Sequence, residues 1–366
     1  MKLIIDNAIP FIKGEAEKLG ETVYKCGADI TATDVRDADV LIVRTRTRCD
    51  RALLEGSKVR LVVTATIGFD HIDTAWLAEA GIRWTNCPGC NAASVGQYVA
   101  CCLLRLQQEK MLEVRNLTIG VVGVGHVGTE VVAAVERLGC SVLLCDPFRA
   151  EAGEEGFVEL KTIAEQADVV TFHTPLTTDG PYPTHHLANA DFFSACRAKQ
   201  PLVINAARGG VVDEQALLAA IEHKHVKGAI IDTWEHEPQI DQRLLEKAIF
   251  ATPHIAGYSA DGKTNGTRMS LQAVADFFGL DIAFNILPPA LPDDYRCLRA
   301  TKTLRSVSGQ YGAKEVSDAF RATSWQLSAT QRVLVLSHKR EVASHLFIAC
   351  NLAPFRHILV TFNTFK

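Results

Sequence analysis

Arg208, Glu237 and His254 are the residues of this chain best suited to acid–base work on a small carboxylate-bearing molecule. Each follows an apolar run in the same part of the sequence, in INAARGGVVD, IIDTWEHEP and ATPHIAGY. An arginine holds a carboxylate through two parallel hydrogen bonds and polarises an adjacent oxygen, with a geometric control that lysine lacks. Histidine takes or returns a hydroxyl proton near neutral pH, and a nearby carboxylate fixes its tautomer. Glu237 can be that carboxylate, and Asp232 is a second acidic group in the same motif. Singly, each has a structural explanation: a histidine beside a proline is most often structural, and a glutamate in a WEHEP turn is most often solvated. Together they have the composition that chemistry at the hydroxyl of a 2-hydroxy acid requires.

A redox partner for that chemistry is written in LTIGVVGVGHVGTEVVAAVERLGCSVLLCD, residues 117–146. An apolar strand runs into Gly123-x-Gly125-x-x-Gly128, an amphipathic helix and a second apolar strand follow, and Asp146 stands 18 positions beyond Gly128. In a dinucleotide site the first glycine makes the tight turn, the second lets the backbone approach a pyrophosphate, and the third lets helix and strand pack closely. The helix N-terminus then offers N–H donors and a partial positive charge to the pyrophosphate. Asp146 suits a free ribose 2′-hydroxyl and repels a 2′-phosphate, so NAD is expected rather than NADP, with Arg149 close enough to temper that choice. The alternative is an α/β unit whose glycines serve packing alone.

The elements that must position these groups are α/β throughout. The first 90 residues alternate β-rich runs (2–5, 39–44, 60–64, 82–86) with helical stretches such as 74–80, which predicts an open, mostly parallel, flavodoxin-like domain. Residues 91–108 form one long helical pattern expected to cross between domains, capped by Asn91 or Ser94. From residue 117 the alternation resumes, with strands at 117–122, 141–145, 168–172, 201–206, 228–232 and 248–251 and helices near 127–137, 160–166 and 213–223. These six strands predict a doubly wound parallel sheet that binds NAD at the carboxyl ends of its strands. A further helix is expected at 267–278, before the boundary stretch ILPPALPDDY. The expected domains are therefore a discontinuous substrate-binding domain (1–90 and 262–290), an NAD-binding domain (91–261) and a smaller C-terminal segment (291–366).

Composition narrows the class further. The 366 residues are 48% hydrophobic and 22% charged, with a net charge of −4, which gives no general attraction to nucleic acid or to a membrane. No run approaches the roughly 18 apolar residues of a membrane span, and MKLIIDNAIP lacks the layout of a signal peptide, so a cytoplasmic protein is expected. The eleven cysteines are odd in number and sit mostly in apolar segments, which fits reduced thiols. Cys87-Pro-Gly-Cys90 has no second pair or supporting histidine; it reads as a loop before a redox motif, and no metal is expected. Residues 296–366 carry 11 Lys and Arg against 3 Asp and Glu, leaving −12 on the first 295, and no chemistry is assigned to that basic segment.

The motifs GVGHVG, HTPL, NAARGGVVD, DTWEHEP and PHIAGYS, across roughly residues 35–290, resemble the D-isomer-specific 2-hydroxyacid dehydrogenase family. PGCNA (Pro88–Ala92), DGPYPTHHL (Asp179–Leu187) and HIAGYS (His254–Ser259) resemble a branch acting on a phosphorylated 2-hydroxy acid. The resemblance implies catalytic roles for Arg208, Glu237 and His254. It implies NAD contacts from His126, Val127, Asp146, the segment around Thr174, Ala206, Ala207, Arg208, Asp232 and Gly257, and substrate contacts from Thr45, Thr66 and Tyr258. Thr66 precedes a glycine-containing loop whose N–H groups can hold a carboxylate. Thr45 lies between Arg44 and Arg46, which suit a phosphate or, equally, form a solvated strand end. The family also implies a homodimer built on a C-terminal dimerisation domain, although nothing after about residue 296 carries its motifs. Two other readings stay open: a dehydrogenase of a different D-2-hydroxy acid such as 3-phosphoglycerate, and a non-catalytic NAD-sensing protein.

Overall fold

Short runs of valine, isoleucine and leucine, buried on both faces, form the central strands, which is why those read as continuous apolar segments rather than alternating ones. The computed structural model describes residues 1–288; the expectations for the segment 291–366 lie outside the described residues. Among the described residues two compact units are present: Met1–Asn91 with residues 259–288, and Ala92–Tyr258.

The first unit holds β1 (Lys2–Asp6), β2 (Glu21–Lys25), β3 (Val40–Val43), β4 (Leu61–Thr64) and β5 (Arg83–Thr85), all parallel, in the order β2-β1-β3-β4-β5. That is the flavodoxin-like order. Successive residues divide between two cores: Leu3, Ile5, Val40 and Ile42 face one side, Ile4, Leu41 and Val43 the other. The helix Ala260–Phe278 covers the first side through Leu271, Val274 and Ala275. It begins seven residues before the expected 267 because Ser259 caps it, accepting the Gly262 N–H at 2.9 Å. Strand β2 was not expected: ETVYK is only partly buried and lacks a continuous apolar run, and its pairing with β1 makes it a strand.

The second unit holds β6 (Thr118–Val122), β7 (Ser141–Cys145), β8 (Val169–Phe172), β9 (Leu202–Asn205), β10 (Gly228–Ile231) and β11 (Phe250–Ala251), parallel in the order β11-β10-β9-β8-β6-β7. A single parallel bridge from Leu144 to Phe157 extends the sheet beyond β7. Ile119, Val121, Val169, Ile204 and Ile230 pack under the helices Ala92–Gln108 and His126–Arg137. Val170, Phe172, Val203, Ala229 and Ile231 face the opposite core with Phe193 and Leu217. The sheet is thus wound on both sides, and its strand order reverses at β6, between β7 and β8. The helix Ala92–Gln108 lies wholly in this unit. Its Gly96 lies so close to the backbone of Glu130 that a Cβ would come within 2.8 Å of the carbonyl oxygen. A helix at Ala190–Ala195, capped by Asn189, was not expected because six residues are too few to display a helical period.

Among the described residues no helix is long and apolar enough to cross a membrane.

Candidate active site

The reversal point of the second sheet is where an open α/β sheet holds its ligand. Chain leaving β6 turns at Gly123, with φ of +84°, and enters the helix His126–Arg137 with Gly125 as N-cap. A Cβ on Gly128 would stand 2.1 Å from the Gly123 carbonyl oxygen, so only glycine lets the helix rest on the turn. Above Gly125 there is nothing within 4 Å, and no side chain caps the helix. The first-turn N–H groups at exposed His126 and half-buried Val127 therefore face open space. From β8, His173 Nδ1 and Thr174 Oγ1 are buried without hydrogen-bond partners. An open glycine, uncapped donors and two orphaned polar atoms around one turn fit a dinucleotide pyrophosphate.

Asp146 follows β7. Its Oδ2 accepts the Val124 N–H at 2.9 Å and its Oδ1 the Arg149 N–H at 3.3 Å, so the carboxylate is held beside the glycine turn. Arg149 is turned to other work: its Nε bonds both oxygens of Glu154 at 3.1 and 3.0 Å, its Nη1 bonds the Val124 carbonyl, and its guanidinium lies over the Phe157 ring. A guanidinium already paired in this way is poorly placed to favour a 2′-phosphate.

Burial pushes the His173 imidazole down to about 3, with Nε2 held 2.8 Å from Thr171 Oγ1. The unfolded chain binds a proton near pH 6.5 that the native state refuses, so this residue contributes stability that is lost as pH falls from 6.5 toward 3. Between pH 6.5 and 5 the unmodified protein should lose about 2 kcal/mol more stability than a His173→Gln variant. Urea melts of both at the two pH values check this; parallel losses would show that His173 is not kept neutral.

Arg208, Glu237 and His254 all lie in the second unit, at the carboxyl ends of β9, β10 and β11. His254 Nδ1 sits 3.1 and 3.0 Å from the two oxygens of Glu237, and Glu237 Oε1 also accepts the Trp234 N–H at 2.9 Å. The carboxylate is thereby aimed at the ring. Arg208 is half-buried; its Nη1 donates to the Ala207 carbonyl at 2.8 Å, with Ala206 half-buried and Ala207 buried beside it. Asp232 is buried, which raises its pKa, and it accepts from Thr252 Oγ1 at 2.5 Å and from the Ile255 and Ala256 N–H groups at 2.7 and 2.9 Å. Both its oxygens thus hold the loop that carries His254. Gly257 and Tyr258 are half-buried in the same loop.

Several residues that arrange this site were given no role by the sequence reading. Asn205, 1% exposed at the end of β9, donates to the Arg208 carbonyl at 3.1 Å and accepts the Ala207 N–H at 3.2 Å. Trp234 Nε1 donates to the Thr252 carbonyl at 2.9 Å, and Tyr98 OH lies 2.8 Å from Thr252 Oγ1. Gly209 lets the arginine loop lie against the WEHEP loop, since a Cβ there would fall 1.9 Å from the Trp234 carbonyl oxygen. The one signal available beforehand was a polar residue, Asn205, closing an apolar strand three positions before the arginine.

In the first unit, Thr66 Oγ1 donates to the Gly68 carbonyl at 2.8 Å and lies 2.7 Å from Thr64 Oγ1, which in turn meets His71 Nε2 at 3.0 Å. Thr45 and Arg46 are exposed at the end of β3, and Arg44 donates to the Ala8 carbonyl at 3.2 Å. The cysteines of the CPGC segment are not disulfide-bonded; burial pushes Cys87 up to about 11 and Cys90 up to about 12, and Cys87 Sγ packs on the Gly266 carbonyl and Ser270 Oγ. Thiols so protonated are poor nucleophiles, and the segment is a packed loop.

Residues 96–256 match the model of the D-isomer specific 2-hydroxyacid dehydrogenase, NAD binding domain. With the relatives it matches along most of its length, this shows that the chain belongs to the D-isomer specific 2-hydroxyacid dehydrogenase family. Those relatives are erythronate-4-phosphate dehydrogenases: that of Bacteroides fragilis is 49% identical over 325 residues, covering 88% of this chain and 92% of the relative. That of Bacteroides thetaiotaomicron is 51% identical over 292 residues, covering 79% and 84%. Among solved structures, the D-lactate dehydrogenase of Aquifex aeolicus, complexed with NAD and lactic acid, is similar with a TM-score of 0.63 and 25% identity, over 76% of this chain and 96% of that one.

Proposed function

We propose that the protein oxidises the C2 hydroxyl of 4-phospho-D-erythronate to 2-oxo-3-hydroxy-4-phosphobutanoate with NAD, a step in the formation of pyridoxal 5′-phosphate. The observation that carries the reading is the His254–Glu237 pair beside the arginine loop of an NAD-binding unit, in a chain about half identical to erythronate-4-phosphate dehydrogenases. Arg208 holds the substrate carboxylate and the C2 oxygen. With its Nδ1 proton donated to Glu237, His254 presents Nε2 as the base that takes the hydroxyl proton. Bound NAD supplies the hydride acceptor. The family resemblance supports substrate contacts from Thr45 and Thr66 of the first unit, where Arg44 and Arg46 suit a phosphate, and from Tyr258 of the second. NADH formation measured with 4-phospho-D-erythronate and with 3-phosphoglycerate tests the substrate; faster turnover of 3-phosphoglycerate would assign the protein to the other branch, and no turnover of either would revive a non-catalytic NAD sensor.

NAD is preferred over NADP because the Asp146 carboxylate, held beside the glycine turn, would repel a 2′-phosphate and Arg149 is tied to Glu154. Asp146→Ala should shrink the ratio of kcat/KM for the two cofactors. It also removes a helix cap, so a loss of about 1 kcal/mol of stability accompanies it. Equal kcat/KM for NAD and NADP in the unmodified protein would contradict this assignment.

The family resemblance supports a homodimer working in the cytoplasm on a small phosphorylated acid, without nucleic-acid or membrane partners. Light scattering of the full chain would read the dimer directly.

A further inference from the structure

In the segment 184–188 and the WEHEP loop lies a second cluster, to which the proposed reaction assigns no role. His186 Nε2 is 2.7 Å from Glu235 Oε1, and His185 lies alongside, its ring stacked on His186 with centroids 4.0 Å apart. One ligand atom from each of His185, His186 and Glu235 falls within 4.8 Å of the others. All three belong to the second unit.

We propose that His185, His186 and Glu235 bind a divalent transition-metal ion of the zinc class, with water completing the shell. Two imidazoles and one carboxylate are a donor set that zinc favours, and three protein ligands leave one position for water. Tetrahedral bonds of about 2.1 Å separate ligand atoms by about 3.4 Å, so the His186–Glu235 pair opens by less than an ångström as the ion takes the place of the shared proton. His185 is exposed; to complete the set its ring turns out of the stack on His186 and its ligand atom closes from at most 4.8 Å to about 3.4 Å.

The surroundings suit such a site in three further ways. The other ring nitrogen of His186, Nδ1, lies 3.8 Å from Asp213 Oδ2, longer than a hydrogen bond but on the side from which a carboxylate can orient a metal-bound imidazole. The backbone of each ligand is pinned: His185 N–H to the Thr177 carbonyl, His186 N–H to the Gly210 carbonyl and Glu235 N–H to Glu214 Oε1 at 2.8 Å. A cavity of about 400 Å³ opens beside His186 and Glu235, with room for the water. An ion here joins the segment 184–188 to the loop that carries Glu237, two residues beyond Glu235. Sequence reading passed over the site because HHL and WEHEP lie about 50 residues apart and neither has the spacing of a metal motif.

The proposal is independent of the dehydrogenase reading and is tested on the full chain with Co²⁺ and Zn²⁺, Mg²⁺ serving as control. Co²⁺ should bind saturably at one ion per chain, displaced by Zn²⁺, with visible d–d bands and no thiolate-to-cobalt charge-transfer band; Mg²⁺ should not compete. His185→Asn and Glu235→Gln should each weaken binding by at least about 10-fold, the minimum expected when even an outer partner of a metal site is lost. His185 is exposed, so its variant leaves the fold intact, and retained NAD binding confirms this for both. Absence of stoichiometric binding, a thiolate charge-transfer band, or unchanged affinity in the two variants would each overturn the assignment.

Discussion

His254→Ala is expected to lower kcat by about 10²- to 10⁴-fold, the range for losing a general acid–base, while NAD affinity stays within a few-fold of the unmodified protein. The expectation rests on position: the ring is half-buried, 3.0 Å from a carboxylate that is itself fixed by the Trp234 N–H, while the glycine turn expected to hold the pyrophosphate is at residues 123–128. Glu237→Gln should cause a smaller fall, since the neutral amide still accepts one hydrogen bond from Nδ1 but no longer stabilises the imidazolium. Steady-state kinetics with 4-phospho-D-erythronate, together with NAD binding followed by fluorescence, separates chemistry from cofactor binding. Unchanged kcat in both variants would move the proton transfer to another residue.

Gly209→Ala is expected to destabilise the protein by about 1–3 kcal/mol and to lower kcat as well, because its Cβ would fall 1.9 Å from the Trp234 carbonyl and 2.4 Å from the Glu235 nitrogen. Backbone is on both sides of that clash, so no side chain can turn aside to relieve it. The arginine loop and the WEHEP loop must part, and Arg208 and Glu237 lose their mutual placement. The adjacent Gly210→Ala is the internal control: its Cβ would meet Leu176 and His185 side-chain atoms no closer than 3.4 Å, which is tolerable contact. Urea melts and kinetics of the pair should therefore differ strongly. Equal, mild effects would mean that the two loops are not held in close approach.

How much of this was legible beforehand depends on the range over which each feature acts. Most of the strands and the longer helices, the glycine turn, Asp146 beyond it, and the NAD-binding class came from the sequence, because apolar runs, glycines and caps act over a few residues and leave a local trace. Arg208, Glu237 and His254 were legible as residue types after apolar strands, and as family motifs. What placed the Glu237 carboxylate on His254 Nδ1 was the tertiary structure, through a turn at 234–237 closed by the Trp234 N–H onto Glu237 itself. Asp232 shows the same division: its identity was visible, but that both its oxygens hold the 254–256 loop was not.

The elements that sequence reading missed fail for physical reasons. ETVYK becomes β2 only through its pairing with β1, a contact whose hydrogen bonds are supplied by the partner strand and not by its own side chains. Asn205 toward the Thr233 carbonyl, Gly209 against Trp234, and the His186–Glu235 pair act on residues about 25 to 50 positions away, and their value lies in contacts that exist only once distant segments of the second unit are side by side. Local hydrophobic period and turn chemistry thus determine most of the elements and which cofactor the glycine turn admits. The close backbone approaches and buried polar partnerships, which arise only when distant segments pack, decide how the reacting side chains are held.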